Sequence, residues 1–316
     1  MNPIFPASIA RRFTILLCLA VTPLSSAGAA AKSPISLDVL QRDGYGSVKL
    51  TKGWRNNTLF VPAEINGRKI DLLLDTGWGS EGITVGGDPS EFHVVPEKGV
   101  EMGVTPNGTR IQTRQGTAQT VVMGNVHVEN ARIYFGRFAG SGFLSQGFLK
   151  RSNAIIDLAN LRLYLRPAGV GRRVNLSPAL TSIGMAEVPF RDAPGRNFVV
   201  NVEVNGVPAQ MALDTGAQAS VLDVRFAKIA HAKGWGRRNV YETDATGVSR
   251  SADLAGTKTF KIEGIPIRTP TVFVGRFAPY DLTHGKMVGV LGLDVIGLNW
   301  GIMDIAQQKF YFARAN

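Results

Sequence analysis

The sequence predicts an all-β chain of two pseudo-symmetric lobes with few short helices. Three observations support this fold class. The 316-residue chain is long enough for about two domains. Short segments rich in β-branched and aromatic residues recur along it, and two of them run into Asn-Gly, a strong hairpin signal. Motifs of the first half also return in the second half at a constant spacing, which indicates a duplicated unit.

The repeated motifs keep one register over most of each half and then shift by a short insertion. Asp75-Thr76-Gly77 returns 139 residues later as Asp214-Thr215-Gly216. Beyond the insertion, Ile156-Asp157-Leu158 corresponds to Met303-Asp304-Ile305. Composition alone does not place so many matches in register, so we interpret the halves as copies of one lobe.

Predicted strands account for most of each half. In the first half they cover Leu59–Ile65, Arg68–Leu74, Thr117–Met123 and Arg132–Phe135, and in the second half Asn197–Val204, Val207–Leu213, Thr257–Ile262 and Thr271–Val274. Helical spacing of apolar residues is confined to Val221–Lys233 and Leu293–Leu298. The pattern therefore favours strands throughout, with few short helices.

The first 31 residues are typical of a secretory signal peptide. Arg11 and Arg12 precede a short apolar run, which ends in a small-residue stretch with the Ala-x-Ala pattern. The run is shorter than the ~20 residues that a membrane span needs, so an uncleaved anchor is the weaker interpretation. We expect a secreted or periplasmic protein with no integral membrane span after cleavage. Its lobes are predicted at 32–168 and 183–316, with a linker at 169–182.

Charge and cysteine content exclude several functional classes. The net charge is +11, but the basic residues are scattered and form no long run, so we expect no nucleic-acid partner. Cys18 is the single cysteine and lies in the predicted signal peptide. A disulfide framework and a zinc site built on cysteines are therefore excluded.

The two Asp-Thr-Gly motifs are the candidate site. The apolar run Leu72–Leu74 precedes the first motif, which predicts a buried strand that presents Asp75 at its end. Gly77 allows the sharp turn that follows. Two-fold packing of the lobes brings Asp75 and Asp214 to one axis, and Thr76 and Thr215 are expected to brace the motif loops across the lobes.

Two carboxyl groups held at close range share one proton, because both cannot ionise cheaply. The ionised member can take a proton from a bound water, while the neutral member donates to a carbonyl oxygen. This pairing predicts general acid–base hydrolysis of an amide without a covalent intermediate.

These motifs resemble those of the pepsin/retropepsin-like aspartic proteases, over residues 45–165 and 185–316. The motifs that carry the resemblance are Asp75-Thr76-Gly77, Asp214-Thr215-Gly216-Ala217 in its retroviral form, and Val290-Leu291-Gly292, the apolar-apolar-Gly element that backs the second aspartate. The resemblance implies a bilobal acid protease fold with two β-barrel lobes. It also implies an aspartic endopeptidase, active as a monomer on peptide or protein substrates, with water and without metal or cofactor.

The sequence departs from the family pattern at three positions. Ser145 stands where the backing element of the first lobe has glycine, which predicts looser support for Asp75. Trp78 follows the first motif where pepsins have a small hydroxyl residue, and Ala217 lacks a hydroxyl in the second. Fewer hydrogen bonds to the ionised pair predict higher pKa values, and hence a less acidic pH optimum than that of digestive relatives.

Several interpretations stay open at this point. The turns at Asn107-Gly108 and Thr246-Gly247 are either substrate-covering flaps or plain surface turns, and Trp78 either lines a substrate pocket or belongs to the core. Asp157 and Asp304 are expected to have structural turn roles. The alternative to an enzyme is an inactive peptide-binding protein that keeps the fold. A two-carboxylate glycosidase needs no duplicated lobe and has little support.

Overall fold

The computed structural model describes residues 36–53, 58–104, 109–167, 171, 174–193, 197–234, 240–243, 245–268, 270–276, 287–297 and 299–314. Residues 1–31, the predicted signal peptide, and the Asn107-Gly108 turn lie outside this part of the chain. The described residues form three β-sheets with a few helices of four to six residues. The all-β prediction is confirmed.

The first half contributes eleven strands among its described residues. They are β1 Gly46–Lys49, β2 Thr51–Lys52, β3 Leu59–Ile65, β4 Arg68–Asp75, β5 Ile83–Gly86, β6 Glu101–Val104, β7 Arg110–Met123, β8 Val126–Gly136, β9 Gly142–Ser145, β10 Ile155–Asp157 and β11 Arg162–Leu165. Strands β2 to β9 form one eight-stranded sheet in the order β2-β3-β4-β9-β5-β8-β7-β6. The strand that ends at Asp75 is therefore an interior strand, with β3 and β9 on either side.

The second half contributes the remaining strands of the described chain. They are β12 Met185–Pro189, β13 Arg191–Ala193, β14 Asn197–Val204, β15 Val207–Leu213, β16 Val221–Asp223, β17 Lys233–Gly234, β18 Val240–Thr243, β19 Ser249–Gly256, β20 Phe260–Ile262, β21 Ile265–Pro266, β22 Thr271–Gly275, β23 Met287–Leu291, β24 Ile302–Asp304 and β25 Lys309–Ala313. Their largest sheet runs β17-β19-β22-β16-β23-β15-β14-β20-β21, with β13 paired to β14 and β18 paired to β19. Strand β15, which leads into Asp214, is again an interior strand.

Both predicted Asn-Gly hairpins are confirmed. Asn66 and Gly67 have φ values of 47° and 86°, and Asn205 and Gly206 have 50° and 86°. Positive φ at both central residues defines a type I′ turn, whose twist matches that of the flanking strands. Strand β3 alternates between buried and half-exposed residues along its whole length, so one face of the first hairpin packs on the core.

The third sheet joins the two halves. Its order is β1-β11-β10-β24-β25-β12, and its centre is the antiparallel pair β10–β24, in which Ile156 lies opposite Met303. A 3₁₀ helix at Asp38–Asp43 and a helix in the predicted linker contribute to a second hydrophobic cluster with this sheet through Leu40 and Leu180. The halves are therefore held together by a continuous hydrogen-bonded sheet.

The helices correct part of the prediction. They are α1 Gln146–Arg151, α2 Ser177–Ser182, α3 Val224–Ile229 and α4 Leu293–Ile296, with a 3₁₀ helix at Pro89–Phe92. The predicted helix start at Val221 was wrong, because Val221–Asp223 is a buried strand and the Asp223 carboxylate caps α3 by accepting from the Arg225 N–H. Helices α1 and α2 are too short to give a visible helical period. None of the helices in the described ranges is long and apolar enough to cross a bilayer.

Candidate active site

Each Asp-Thr-Gly motif starts where an interior strand ends. Strand β4 runs parallel to β9, with Leu74 beside Leu144 and Asp75 beside Ser145. Strand β15 runs parallel to β23 in the same way, and the Asp214 N–H donates to the Leu291 carbonyl at 3.0 Å. Because each strand has hydrogen-bonded neighbours on both sides, the position of each aspartate is fixed by its sheet rather than by a mobile loop.

The two motif loops are tied to each other across the lobes by their threonines. The Thr76 hydroxyl donates to the Leu213 carbonyl at 2.8 Å and accepts from the Thr215 N–H at 2.9 Å. Reciprocally, the Thr215 hydroxyl donates to the Leu74 carbonyl at 2.7 Å and accepts from the Thr76 N–H at 3.1 Å. Both threonines are fully buried, so these four bonds lie out of reach of water. The arrangement has the form that the sequence predicted for these residues.

Replacing Thr76 by Val is expected to destabilise the fold by about 2–4 kcal/mol, because two buried backbone groups each lose a partner. The free energy of unfolding by denaturant measures this loss. Thr76→Ser is the matched control, since it keeps the hydroxyl and should retain most of the stability. Equal stability of the Val and Ser variants would contradict a role for the cross-lobe bonds.

The carboxyl groups of Asp75 and Asp214 meet between the lobes. They share a side-chain hydrogen bond. Each carboxyl also lies against the glycine of the opposite motif, because a Cβ added at Gly77 would stand 2.5 Å from Asp214 Oδ2 and one added at Gly216 would stand 2.6 Å from Asp75 Cγ. Both motif glycines are therefore required by the close approach of the two aspartates. The structure brings together the two residues that the sequence singled out.

The surroundings of the pair raise the pKa values of the two carboxyl groups to different extents. Burial raises the pKa of Asp75 well above its usual range, and the neighbouring charge of Asp214 raises it further. Burial also raises the pKa of Asp214, but the backbone N–H groups of Gly216 at 2.8 Å and Ala217 at 3.2 Å stabilise its ionised form. The backbone N–H groups of Gly77 and Trp78 lower the pKa of Asp75 in the same way, but the interaction with Asp214 raises it, whereas the hydrogen bond with Asp75 lowers the pKa of Asp214. Asp75 is therefore the member favoured as protonated, and Asp214 the member favoured as ionised.

The support behind the two aspartates differs between the lobes. In the second lobe Gly292 leaves no room for a side chain, because an added Cβ would lie 2.6 Å from the backbone of Ala219. In the first lobe Ser145 is fully buried, donates to the Gly82 carbonyl and accepts from Ser80 Oγ at 2.9 Å. The Ser145 hydroxyl therefore ties the backing strand to the loop that follows the first motif, while the looser support expected around Asp75 stays a prediction.

Comparison with known proteins agrees with this geometry. A family model described as aspartyl protease matches residues 200–295, which include Asp214 and the backing element. No curated protein sequence matches the chain. An aspartic proteinase from Irpex lacteus is similar in structure, with a TM-score of 0.51 and 13% identity over 86% of this chain and 98% of that one. Basic 7S globulin from soybean is similar too, with a TM-score of 0.50 and 9% identity over 86% of this chain and 95% of that one.

The resemblance to the pepsin/retropepsin-like aspartic protease family is confirmed. The structural likeness shows the bilobal aspartic protease fold, which the sequence predicted. The family match lies within the second lobe, so the first lobe is placed in this fold by its structure alone.

Trp78 forms a half-buried aromatic wall beside Asp75 in this aspartic protease fold. Its ring stacks on Phe143 at 5.0 Å between ring centroids and meets Phe138 edge-on at 5.6 Å. Its indole N–H donates to Thr84 Oγ1 at 2.9 Å. The polar atom of Trp78 is therefore bound to a side chain of the first lobe.

The other predicted residues occupy distinct places. Thr246 and Gly247 lie in a turn of the second lobe that reaches the first lobe, where the Ala139 N–H donates to the Ala245 carbonyl at 2.9 Å.

Asp157 accepts from the backbone and side chain of Asn160, so its structural turn role is confirmed. Asp304 makes the same pair of bonds with Gln307. Among the described residues no cluster of His, Cys, Asp and Glu could hold a metal ion.

Sequence reasoning missed the residues that surround the motifs rather than belong to them. They are Ser80, Thr84, Phe138 and Phe143 in the first lobe, and the Ala139–Ala245 contact between lobes. Phe138 lies outside the two Asp-Thr-Gly motifs, and nothing in the sequence indicated that its ring packs against Trp78. Contacts between hydroxyl groups and contacts between lobes leave no periodic pattern in the sequence, so they could not be predicted from it.

Proposed function

We propose that the chain is a secreted or periplasmic aspartic endopeptidase that hydrolyses peptide bonds with a water activated between Asp75 and Asp214. The observation that carries this proposal is the hydrogen-bonded carboxyl pair, with one member favoured as neutral and the other as ionised. The fold and the family match support a protease-like function. Export rests on the signal-like pattern of residues 1–31 alone.

In the proposed reaction each carboxyl has one task. The Asp214 carboxylate accepts a proton from a water, whose oxygen attacks the carbonyl carbon of the scissile peptide bond. Asp75 donates its proton to the carbonyl oxygen, so no full oxyanion develops. The tetrahedral species then collapses as the C–N bond breaks and the leaving nitrogen receives a proton from Asp214. As the diol collapses, one of its hydroxyl groups returns a proton to Asp75, which restores the one shared proton of the pair and releases the new carboxyl product. No acyl-enzyme forms.

One chain supplies both aspartates, so we propose that the active unit is a monomer. The substrate is a peptide or protein segment, held in an extended conformation so that its backbone can form strand-like hydrogen bonds.

The pH dependence of hydrolysis tests the proposed function. Activity requires one proton on the pair, so the rate falls at low pH when Asp214 becomes protonated and at high pH when Asp75 loses its proton. Both pKa values are raised above the ordinary value of 3.8, which moves both limbs of the profile upward. We expect the purified protein to cleave an unfolded protein with a bell-shaped profile that peaks above about pH 4. A peak well below that value would contradict the assignment.

The second candidate is a peptide-binding protein that keeps the fold without hydrolysis. The replacement of a small hydroxyl by Trp78 directly after the first motif is the observation that favours it. A statine-containing peptide, which mimics the tetrahedral species, distinguishes the two. Tight binding of this peptide together with no detectable cleavage of an unfolded protein at any pH would establish the second candidate and reject the first.

A further inference from the structure

A chain of hydrogen bonds starts at the indole of Trp78. The indole N–H donates to Thr84 Oγ1 at 2.9 Å, and Thr84 Oγ1 lies 3.0 Å from Ser80 Oγ. Ser80 Oγ donates to Ser145 Oγ at 2.9 Å, and the Ser145 hydroxyl donates to the Gly82 carbonyl. With the Thr84 hydroxyl donating to Ser80, each of these hydroxyls accepts one bond and donates one. We name the hydroxyls of Ser80, Thr84 and Ser145 the hydroxyl chain.

Both ends of the hydroxyl chain lie next to the first aspartate. Trp78 follows Asp75 by three residues, and its backbone N–H donates to the Asp75 carboxyl, as does the Gly77 N–H at 2.9 Å. Ser145 lies opposite Asp75 in the parallel pair β4–β9. Thr84 and Ser145 are fully buried, so water does not compete for their bonds. The position of the Trp78 side chain is therefore coupled to an N–H that contacts the carboxyl.

The second lobe shows which of these contacts are particular to Trp78. The Trp78 carbonyl accepts from the Gln146 N–H at 2.9 Å, and its ring stacks on Phe143 of β9. The corresponding residue of the second lobe is Ala217, whose N–H also donates to an aspartate and whose carbonyl accepts from the Leu293 N–H at 2.9 Å. The backbone contacts are thus alike in the two lobes, whereas a methyl group has no hydrogen bond with which to anchor Ala217.

The two lobes also differ in how closely the backing strand approaches the loop after the motif. In the second lobe a Cβ added at Gly292 would lie 2.6 Å from the backbone of Ala219. An approach this close leaves no room for the side chain that Ser145 carries at the corresponding position. The first lobe therefore has hydrogen bonds through the Ser145 hydroxyl where the second lobe has a close backbone contact.

We propose that Trp78 is a positioning residue for Asp75, anchored by the hydroxyl chain so that its backbone N–H fixes the orientation of the carboxyl. A group that delivers a proton to a substrate acts efficiently only in a narrow range of orientations, which the residues behind it maintain. The inference rests on the proposed endopeptidase function and adds to it a determinant outside the two motifs. It is the opposite of the looser support that Ser145 predicts.

The charged surroundings of the Asp75 carboxyl are simple within the described chain. Asp214 is the charged group that acts on it most directly. The loop after the motif contributes Glu81, which pairs with Arg151 at 2.8 Å. Strand β3 contributes Glu64, near the hairpin turn at the opposite end of β4, while β5 and β9 carry no charged residue. Removing an uncharged contact of Trp78 therefore changes the Asp75 titration through its N–H donors and not through a lost charge.

Two substitutions remove the bond between the indole and the hydroxyl chain from opposite sides. Trp78→Phe keeps an aromatic ring against Phe143 but loses the N–H donor, and Thr84→Val keeps the shape of the side chain but loses the acceptor. Thr84→Ser retains the hydroxyl and is the conservative rescue. Trp300→Phe, in an exposed turn of the second lobe, is the matched control for loss of an indole. The readout is the pH profile of kcat and of KM for one peptide substrate.

We expect the alkaline limb of kcat to move upward by ~0.5–1 pH unit in Trp78→Phe and in Thr84→Val, because a less well held N–H stabilises ionised Asp75 less. At the optimum kcat should fall about tenfold with little change in KM, since the substrate still binds. The double variant should shift no further than either single variant, because both act through one bond. Thr84→Ser and Trp300→Phe should keep the wild-type profile.

An alkaline limb that stays in place in both single variants would overturn the positioning role, and so would shifts that add in the double variant. If the wild type cleaves no peptide at any pH, the proposed endopeptidase function fails instead. The positioning role is then decided by a ¹³C NMR titration of the Asp75 carboxyl, assigned with Asp75→Asn. Thr84→Val should raise its midpoint by the same ~0.5–1 unit, and an unchanged midpoint rejects the role. The same titration of Trp78→Phe serves if Thr84→Val does not fold.

Discussion

Asp75→Asn and Asp214→Asn are each expected to lower kcat for hydrolysis of an unfolded protein by about 10²–10⁴-fold. Asparagine keeps the size and the hydrogen-bonding shape of aspartate, but it neither accepts the proton of water nor delivers one to the substrate. The measurement is the steady-state rate for each purified variant at the pH optimum of the wild type.

The stability of the Asp75→Asn variant separates a catalytic role from a structural one. The folded-state pKa of Asp75 is raised, so its stabilising effect is present below the ordinary aspartate pKa and is lost as pH rises through the folded-state value. Asparagine does not titrate. The Asn variant should therefore melt close to the wild type at pH about 3 and increasingly above it toward neutral pH. An inactive protein that is more stable than the wild type cannot owe its inactivity to unfolding.

Equal rates of hydrolysis by the wild type and both variants would show that the carboxyl pair takes no part in the reaction. A melting temperature of Asp75→Asn that stays below that of the wild type across the whole pH range would contradict the raised pKa. The two outcomes are independent, because one concerns the reaction and the other the cost of burying a charge.

The features that sequence predicted well are those with a short-range signal. The hairpins at Asn66-Gly67 and Asn205-Gly206 follow from residues that adopt positive φ readily. The candidate pair, Asp75 and Asp214, followed from two identical motifs, each placed after an apolar strand.

The features that sequence did not predict depend on which surfaces meet in the folded chain. Trp78 gave no sign that its ring would stack on Phe143, which lies 65 positions later in the sequence. Ser145 was interpreted from the family pattern as a loss of support, although its hydroxyl is tied to Ser80 and the Gly82 carbonyl. The helix predicted from Val221 was displaced because a buried strand position overrides helical spacing over so few residues.

Adding one methyl group at Gly216 is expected to disable the site as severely as removing a carboxyl, while leaving both aspartates in place. An alanine Cβ there would lie 2.6 Å from Asp75 Cγ and 2.7 Å from its Oδ2, well inside van der Waals contact, so the Asp75 carboxyl must move. Since a displacement of about 1 Å at a reacting group costs about 100-fold in rate, Gly216→Ala should lose most of its kcat, and overpacking should cost about 1–3 kcal/mol in stability. Gly77→Ala should behave in the same way, because its Cβ would lie within 2.5 Å of the Asp214 carboxyl.

Gly234→Ala is the matched control. Its Cβ would come only within 3.9 Å of the Leu254 carbonyl, so its activity should be unchanged. Full activity of Gly216→Ala would mean that the carboxyls need not lie as close as the structure places them, and the shared proton would lose its basis.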